Sequence, residues 1–299
     1  MHNQKNVFID TDVGDDVDDS FAIAFAANSP ELNLTGISTV FRDVSKRASL
    51  AHALLEAYGI TDVPVYEGCG KPLIKTADIH AIPCQYDEKA LSAFSPYQKR
   101  ETHGVLALLD AIRRTPDLTI IAIGPLTNIA LATVLDPDLM RNASIYMMGG
   151  AFSTTEAEWN IFCDPEAAQI VFNSGADIHV FSLDVTAKCK VPEEKLSGIR
   201  QSKTRGSRLL ASCIQKWETS SGFGVTFHDP MTIAGLIRPD LVCFKEKKVA
   251  VELHGEETRA ATVLKESLFG TSEVPNAKIA TSVQEQAVID FVLGRIAGK

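Results

Sequence analysis

The sequence predicts an α/β protein: one domain over residues 1–299, built on an open, mostly parallel sheet flanked by helices. Two observations lead there. Short apolar runs alternate with helix-period segments through the first two thirds of the chain, the pattern of strand–helix–strand units. No internal repeat, low-complexity tract or convincing linker divides the 299 residues, a length that one large domain can fill.

Each element has a local signal. The first strand is Asn6–Ile9, whose apolar Val7-Phe8-Ile9 stops at an acidic loop containing Gly14. A helix follows over Asp18–Ala27, then strand Leu34–Val40 and helix Ser45–Tyr58. Residues 68–100 break the rhythm: they hold Gly68, Gly70, Pro72, Pro83 and Pro96 and show no period, as functional loops often do. Alternation resumes with helix Gly104–Arg113, strand Thr119–Ile123, helix Thr127–Leu135, strand Ile145–Met148, helix Pro165–Phe172 and strand Ile178–Leu183. Pro165 at the start of its helix and Gly175 beyond its end are ordinary start and stop chemistry. Residues 192–218 read as helical and Asp229–Ile237 as a short helix. Val242–Leu253 reads as a strand pair or a long edge strand, and Ser282–Ile296 as an amphipathic closing helix.

Composition narrows the class. Apolar content of 45% and charged content of 22% are those of a soluble globular chain. A formal net charge of −9 argues against nucleic acid or an anionic membrane as partner. No apolar run approaches the roughly 20 residues that span a bilayer. The N-terminal residues lead straight into a strand without the apolar core of a signal peptide. Cys69, Cys84, Cys163, Cys189, Cys213 and Cys243 are scattered and form no C-x-x-C pair. Reduced thiols and a cytoplasmic location are the expectation.

The most informative segment is Asp10-Thr-Asp-Val-Gly-Asp-Asp-Val-Asp-Asp19. Its six aspartates repel one another unless a cation neutralises them. A solvated, helix-capping turn accounts for two or three of them. An EF-hand loop fails on spacing: with Asp10 first, the sixth position is Asp15 instead of Gly, and the twelfth is Phe21 instead of Glu. A catalytic metal loop at the carboxyl end of the first strand fits, because ligands of open α/β sheets bind at that edge.

Two families carry such a loop. Asp10-Thr-Asp12-Val13 resembles the start of the haloacid-dehalogenase phosphatase motif, which would make Asp10 a nucleophile beside Mg²⁺. The whole run more closely resembles the signature of the inosine-uridine-preferring nucleoside hydrolases. Four later segments resemble that family in the right order: Ile121-Ala-Ile-Gly-Pro-Leu-Thr-Asn128, Met147-Met-Gly-Gly150, Glu158-Trp-Asn-Ile-Phe-Cys-Asp-Pro165 and His228-Asp-Pro230. The phosphatase motif also needs a late Lys and a second acidic pair at a strand end, and no convincing candidate exists.

The resemblance implies a Rossmann-like fold and hydrolysis of a ribonucleoside to free base and ribose by a Ca²⁺-held water that an aspartate activates. It implies Asp12, Asp19, Asp229 and the carbonyl of Ile123 as metal ligands, Asp18 as general base, Glu158, Asn160 and Met148 at the ribose, and His228 facing the base. The chemistry is coherent. Ca²⁺ takes six to eight oxygens, so it can hold vicinal hydroxyls and water together. Carboxylates stabilise the positive charge that develops on the sugar. A histidine protonates a departing base near neutral pH.

The loop also departs from the family's Asp-x-Asp-Pro-Gly-x-Asp-Asp form. Val13 replaces Pro, and two extra residues precede the final pair, so the working pair is Asp18/Asp19 or Asp15/Asp16. Ser20-Phe-Ala-Ile-Ala-Phe continues as a helix after Asp19, which favours the former. Asp43, where the family often has Asn, either touches the ribose or merely follows a strand. Trp159 reads as a pocket wall or a core residue. Residues 68–100 and 219–227 read as lids or fixed loops. A small-molecule ribonucleoside partner and a homodimer or homotetramer are implied. The remaining alternative is a riboside-binding protein without turnover.

Overall fold

A computed structural model describes residues 4–115, 117–265 and 273–297. The strands are β1 (Lys5–Thr11), β2 (Leu32–Thr39), β3 (Val65–Glu67), β4 (Thr119–Ala122), β5 (Ser144–Met148), β6 (Asp177–Phe181), β7 (Val242–Lys247), β8 (Val249–Val251), β9 (Thr262–Leu264) and β10 (Ala277–Val283). Eight of them form one sheet in the order β3-β2-β1-β4-β5-β6-β10-β7, and β8 pairs with β9 apart from it. Every pairing in the large sheet is parallel except β10 with β7 at the edge. The expected α/β class and open, mostly parallel sheet are therefore present.

Burial on both faces explains why the strands read as continuous apolar runs. In β1, Val7 and Ile9 enter one core and Phe8 the other, as the two-residue strand period requires. Gly36 of β2 belongs to this packing: a Cβ there would sit 2.7 Å from the Phe8 ring.

The order of the strands places the site. From β1 the chain builds outward through β2 and β3, then returns to lay β4, β5 and β6 on the other side. The reversal leaves a crevice at the carboxyl ends of β1 and β4, where doubly wound sheets bind ligands. The acidic loop leaves β1 and Ile123 follows β4 at that point.

Several sequence expectations change at the C-terminal end. Val242–Leu253 is neither a hairpin nor a single edge strand. Its first part, β7, pairs with β10, and its second part, β8, pairs with β9. The closing helix begins at Glu285, because Ser282 and Val283 belong to β10, a strand the sequence reading missed. The 192–218 helix is two helices, Glu193–Gln201 and Arg205–Ser221, and the second runs on to meet Gly222 in the left-handed region (φ 75°). The 68–100 segment is irregular, as expected, apart from a turn of helix at Glu88–Leu91.

Candidate active site

The acidic loop turns at Gly14, whose φ of 125° is a conformation that only glycine adopts readily. Past the turn, Asp18 and Asp19 open the Asp18–Ala27 helix, which is buried on every side through Ala26. Carboxylate oxygens of Asp18, Asp19 and Asp229 lie within 4.8 Å of one another. Asp229 arrives from the far end of the chain, just ahead of the Pro230–Ile237 helix, and its N–H donates to Asp18 Oδ2 at 2.9 Å. Thr11 Oγ1 donates to Asp19 Oδ1 and accepts from Val13 N–H at 3.0 Å, so a strand-end hydroxyl fixes one carboxylate.

These three carboxylates border a cavity of about 360 Å³, lined also by Asp12, Asp15, Asp16, Ile123, Met148, Glu158, Trp159, Asn160, Leu183, Trp217 and His228. Gly124 lets its wall close up, since a Cβ there would stand 2.8 Å from both Asp12 N and Val40 Cγ1. Glu158 is locked by three backbone donors: Asn160 N–H at 2.8 Å, Gly150 N–H at 3.0 Å and Ile161 N–H at 3.2 Å. Asn160 Nδ2 donates to the Met148 carbonyl at 3.2 Å. Trp159 is half-exposed at the mouth and meets Phe41 edge-on at 6.4 Å.

The electrostatics are those of a crowded acid site. Burial raises Asp18 to about 6 and Asp12 to about 7. Burial and the neighbouring Asp18 raise Asp16 to about 8. Burial, then the charges of neighbouring aspartates, push Asp19 and Asp229 well above the carboxylate range. Burial also pushes the His228 imidazole down, partly offset by Asp16. Carboxylates this close, buried and shielded from water stay ionised together only with a cation among them. An oxygen-rich donor set of this kind fits a hard divalent metal.

Every sequence-predicted site residue except Asp43 lines this cavity. Asp43 instead accepts from Lys46 N–H at 3.1 Å and pairs with Lys46 Nζ at 3.1 Å, capping the Val44–Ala57 helix. It follows its strand without reaching the cavity. Asp18 stands with Asp19 and Asp229 in the close trio, and Asp12 borders the same cavity. Asp15 lines the cavity and also pairs with Arg47 at 2.7 Å. Sequence reasoning missed Leu183 and Trp217 on the walls, because their places depend on how later helices fold back.

Asp10 does not serve as the phosphatase reading needs. It is buried, absent from the cavity wall, and accepts from Ser38 Oγ and from Asn128 Nδ2 (2.7 Å). A nucleophile must face its substrate.

Comparison with known proteins decides the family. The sequence model of the inosine-uridine preferring nucleoside hydrolases matches residues 7–290. The chain belongs to that family. This nucleoside hydrolase is 32% identical to a probable uridine nucleosidase 2 of Arabidopsis thaliana, covering 98% of both chains. It is 34% identical to the pyrimidine-specific ribonucleoside hydrolase RihA of Citrobacter koseri, covering 97% of both. Among solved structures it resembles a plant nucleoside hydrolase (TM-score 0.87, 27% identity, 99% of both chains). It also resembles a purine-preferring ribonucleoside hydrolase from Gardnerella vaginalis (TM-score 0.86, 28% identity, 98% of both chains). Among the described residues, no helix of this nucleoside hydrolase is long and apolar enough to cross a membrane.

Proposed function

We propose that this nucleoside hydrolase splits ribonucleosides into free base and ribose, with Ca²⁺ in the carboxylate cluster and Asp18 as the base that takes a proton from the attacking water. The observation behind this reading is the close trio of buried carboxylates at one side of a nucleoside-sized cavity, with Asn160, Glu158 and His228 around the rest. Asp19, Asp229, Asp12 and the Ile123 carbonyl would hold the ion. Bound Ca²⁺ would grip the ribose hydroxyls and make water easier to deprotonate.

The chain's own groups do the rest. Asp18, oriented by the Asp229 N–H on the cavity wall, is placed to take a proton from water. Glu158, immobilised by its three N–H donors, and Asn160 orient the ribose. The ionised walls face the positive charge that develops on the sugar as the base leaves. Thr186 Oγ1 lies 2.8 Å from His228 Nδ1; a hydroxyl donating there keeps the ring proton on Nε2, where it can go to the departing base. The names of the similar uridine nucleosidase and pyrimidine-specific hydrolase support pyrimidine ribosides among its substrates, and the enzyme is expected to act in the cytoplasm as a homodimer or homotetramer.

Reducing-sugar release from a panel of ribonucleosides, with Ca²⁺ and with chelator, tests the reading. Asp18→Asn should bind Ca²⁺ and lose turnover. If instead Asp12→Asn loses turnover while Asp18→Asn loses the metal, the base is Asp12. No release from any nucleoside overturns the function itself.

A further inference from the structure

Two side chains outside the cavity take up the backbone of the acidic loop. Arg47, fully buried in the Val44–Ala57 helix, donates through Nη1 to the carbonyls of Asp12 and Val13, the latter at 3.0 Å. Its Nε donates to the Phe41 carbonyl at 2.7 Å and its Nη2 to Asp15 Oδ2 at 2.7 Å. Gln85, 2% exposed in the irregular segment, holds the next three carbonyls. Its N–H donates to Gly14 O at 2.8 Å, and its Nε2 to Asp15 O at 3.1 Å and Asp16 O at 2.6 Å. Ser20 Oγ donates back to Gln85 Oε1 at 2.8 Å, from the first turn of the helix that carries Asp18 and Asp19.

Five consecutive carbonyls, residues 12 to 16, are thus engaged by two residues that do not line the cavity. Buried carbonyls need such partners. Here the partners also fix which groups the loop presents: its backbone oxygens are held by the protein, while its side-chain carboxylates stay on the cavity wall. Arg47 adds a buried positive charge next to the acid cluster, which lowers the cost of crowding those carboxylates.

We infer that Arg47 and Gln85 are positioning residues, a two-sided clamp that presets the acidic loop for its cation and so sets metal affinity without touching substrate. The inference rests on the metal-dependent reading above. Outer-shell partners of metal ligands typically govern affinity by about 10–100-fold.

The test is calorimetric Ca²⁺ binding to the full-length protein, paired with kcat and KM at limiting and saturating Ca²⁺. Gln85→Met keeps the volume and removes both side-chain donors. It should weaken Ca²⁺ binding by about tenfold or more, with kcat restored at saturating Ca²⁺ and KM for nucleoside unchanged. Ser20→Ala frees only the far end of Gln85 and should show a smaller loss in the same direction. Arg47→Lys keeps the charge and gives up part of the donor fork, and should fall between them. Wild-type Ca²⁺ affinity in Gln85→Met, or a lowered melting temperature with unchanged affinity, overturns the clamp. A wild-type enzyme that turns over nucleosides equally well in chelator overturns the metal reading instead.

Discussion

The backbone N–H of Asp229 donates to the Asp18 carboxylate at 2.9 Å, joining positions 211 residues apart. This bond brings the two ends of the acid site together. It also lets Asp18 share the trio with Asp19 and Asp229 while one of its oxygens is fixed in direction. Three consequences of the site's construction can be measured.

The first concerns pH and metal. Burial raises Asp18 to about 6, Asp10 and Asp12 to about 7 and Asp16 to about 8, all from an ordinary 3.8. A raised folded-state value means the fold favours the protonated acid. The resulting stability is complete below about pH 4 and is lost as pH rises through the folded values. Metal-free protein should therefore lose stability between about pH 4 and about pH 8, most steeply at the acid end where all four groups contribute. A cation that binds the ionised carboxylates should flatten that slope. Urea unfolding across this range in chelator and in Ca²⁺ checks both, and parallel curves in the two conditions would sink the prediction.

The second concerns His228. If its Nε2 proton goes to the leaving base, His228→Ala should cut kcat on natural nucleosides by about a hundredfold, the low end for a lost general acid. A riboside with a leaving group that departs unprotonated, such as p-nitrophenol, should be cleaved nearly as fast as by wild type. Equal losses on both substrates would assign His228 to positioning alone.

The third concerns close approach. Gly124→Ala would force a methyl to within 2.8 Å of the Asp12 amide nitrogen and of Val40 Cγ1. The β4 turn would have to move away from Asp12, at a cost of about 1–3 kcal/mol. Thermal unfolding should register it, and metal affinity should fall because Ile123 precedes Gly124. A fully stable variant with wild-type affinity would show that the wall yields freely.

Much of the fold was legible because its signals are local. Parallel strands buried on both faces leave apolar runs, and the helices between them leave caps and periodicity. β10 and the split between β7 and β8 were illegible because edge pairing is a long-range choice. Val242–Leu253 has the same pattern whether it feeds one sheet or two. Asp43 shows the same limit at the site: a polar residue after a strand reads alike as ligand or cap, and the nearby Lys46 decides it.

The α/β class, the acidic loop at the end of β1 and the residue types that surround the cavity are all legible in the chain, since each is written in short contiguous segments. The meeting of Asp18, Asp19 and Asp229, the pairing of Asp15 with Arg47, and the grip of Gln85 on the loop from a segment with no pattern of its own are settled by the fold. Those contacts join residues far apart in the chain. Their geometry follows from strand order and packing, which no local run of residues records.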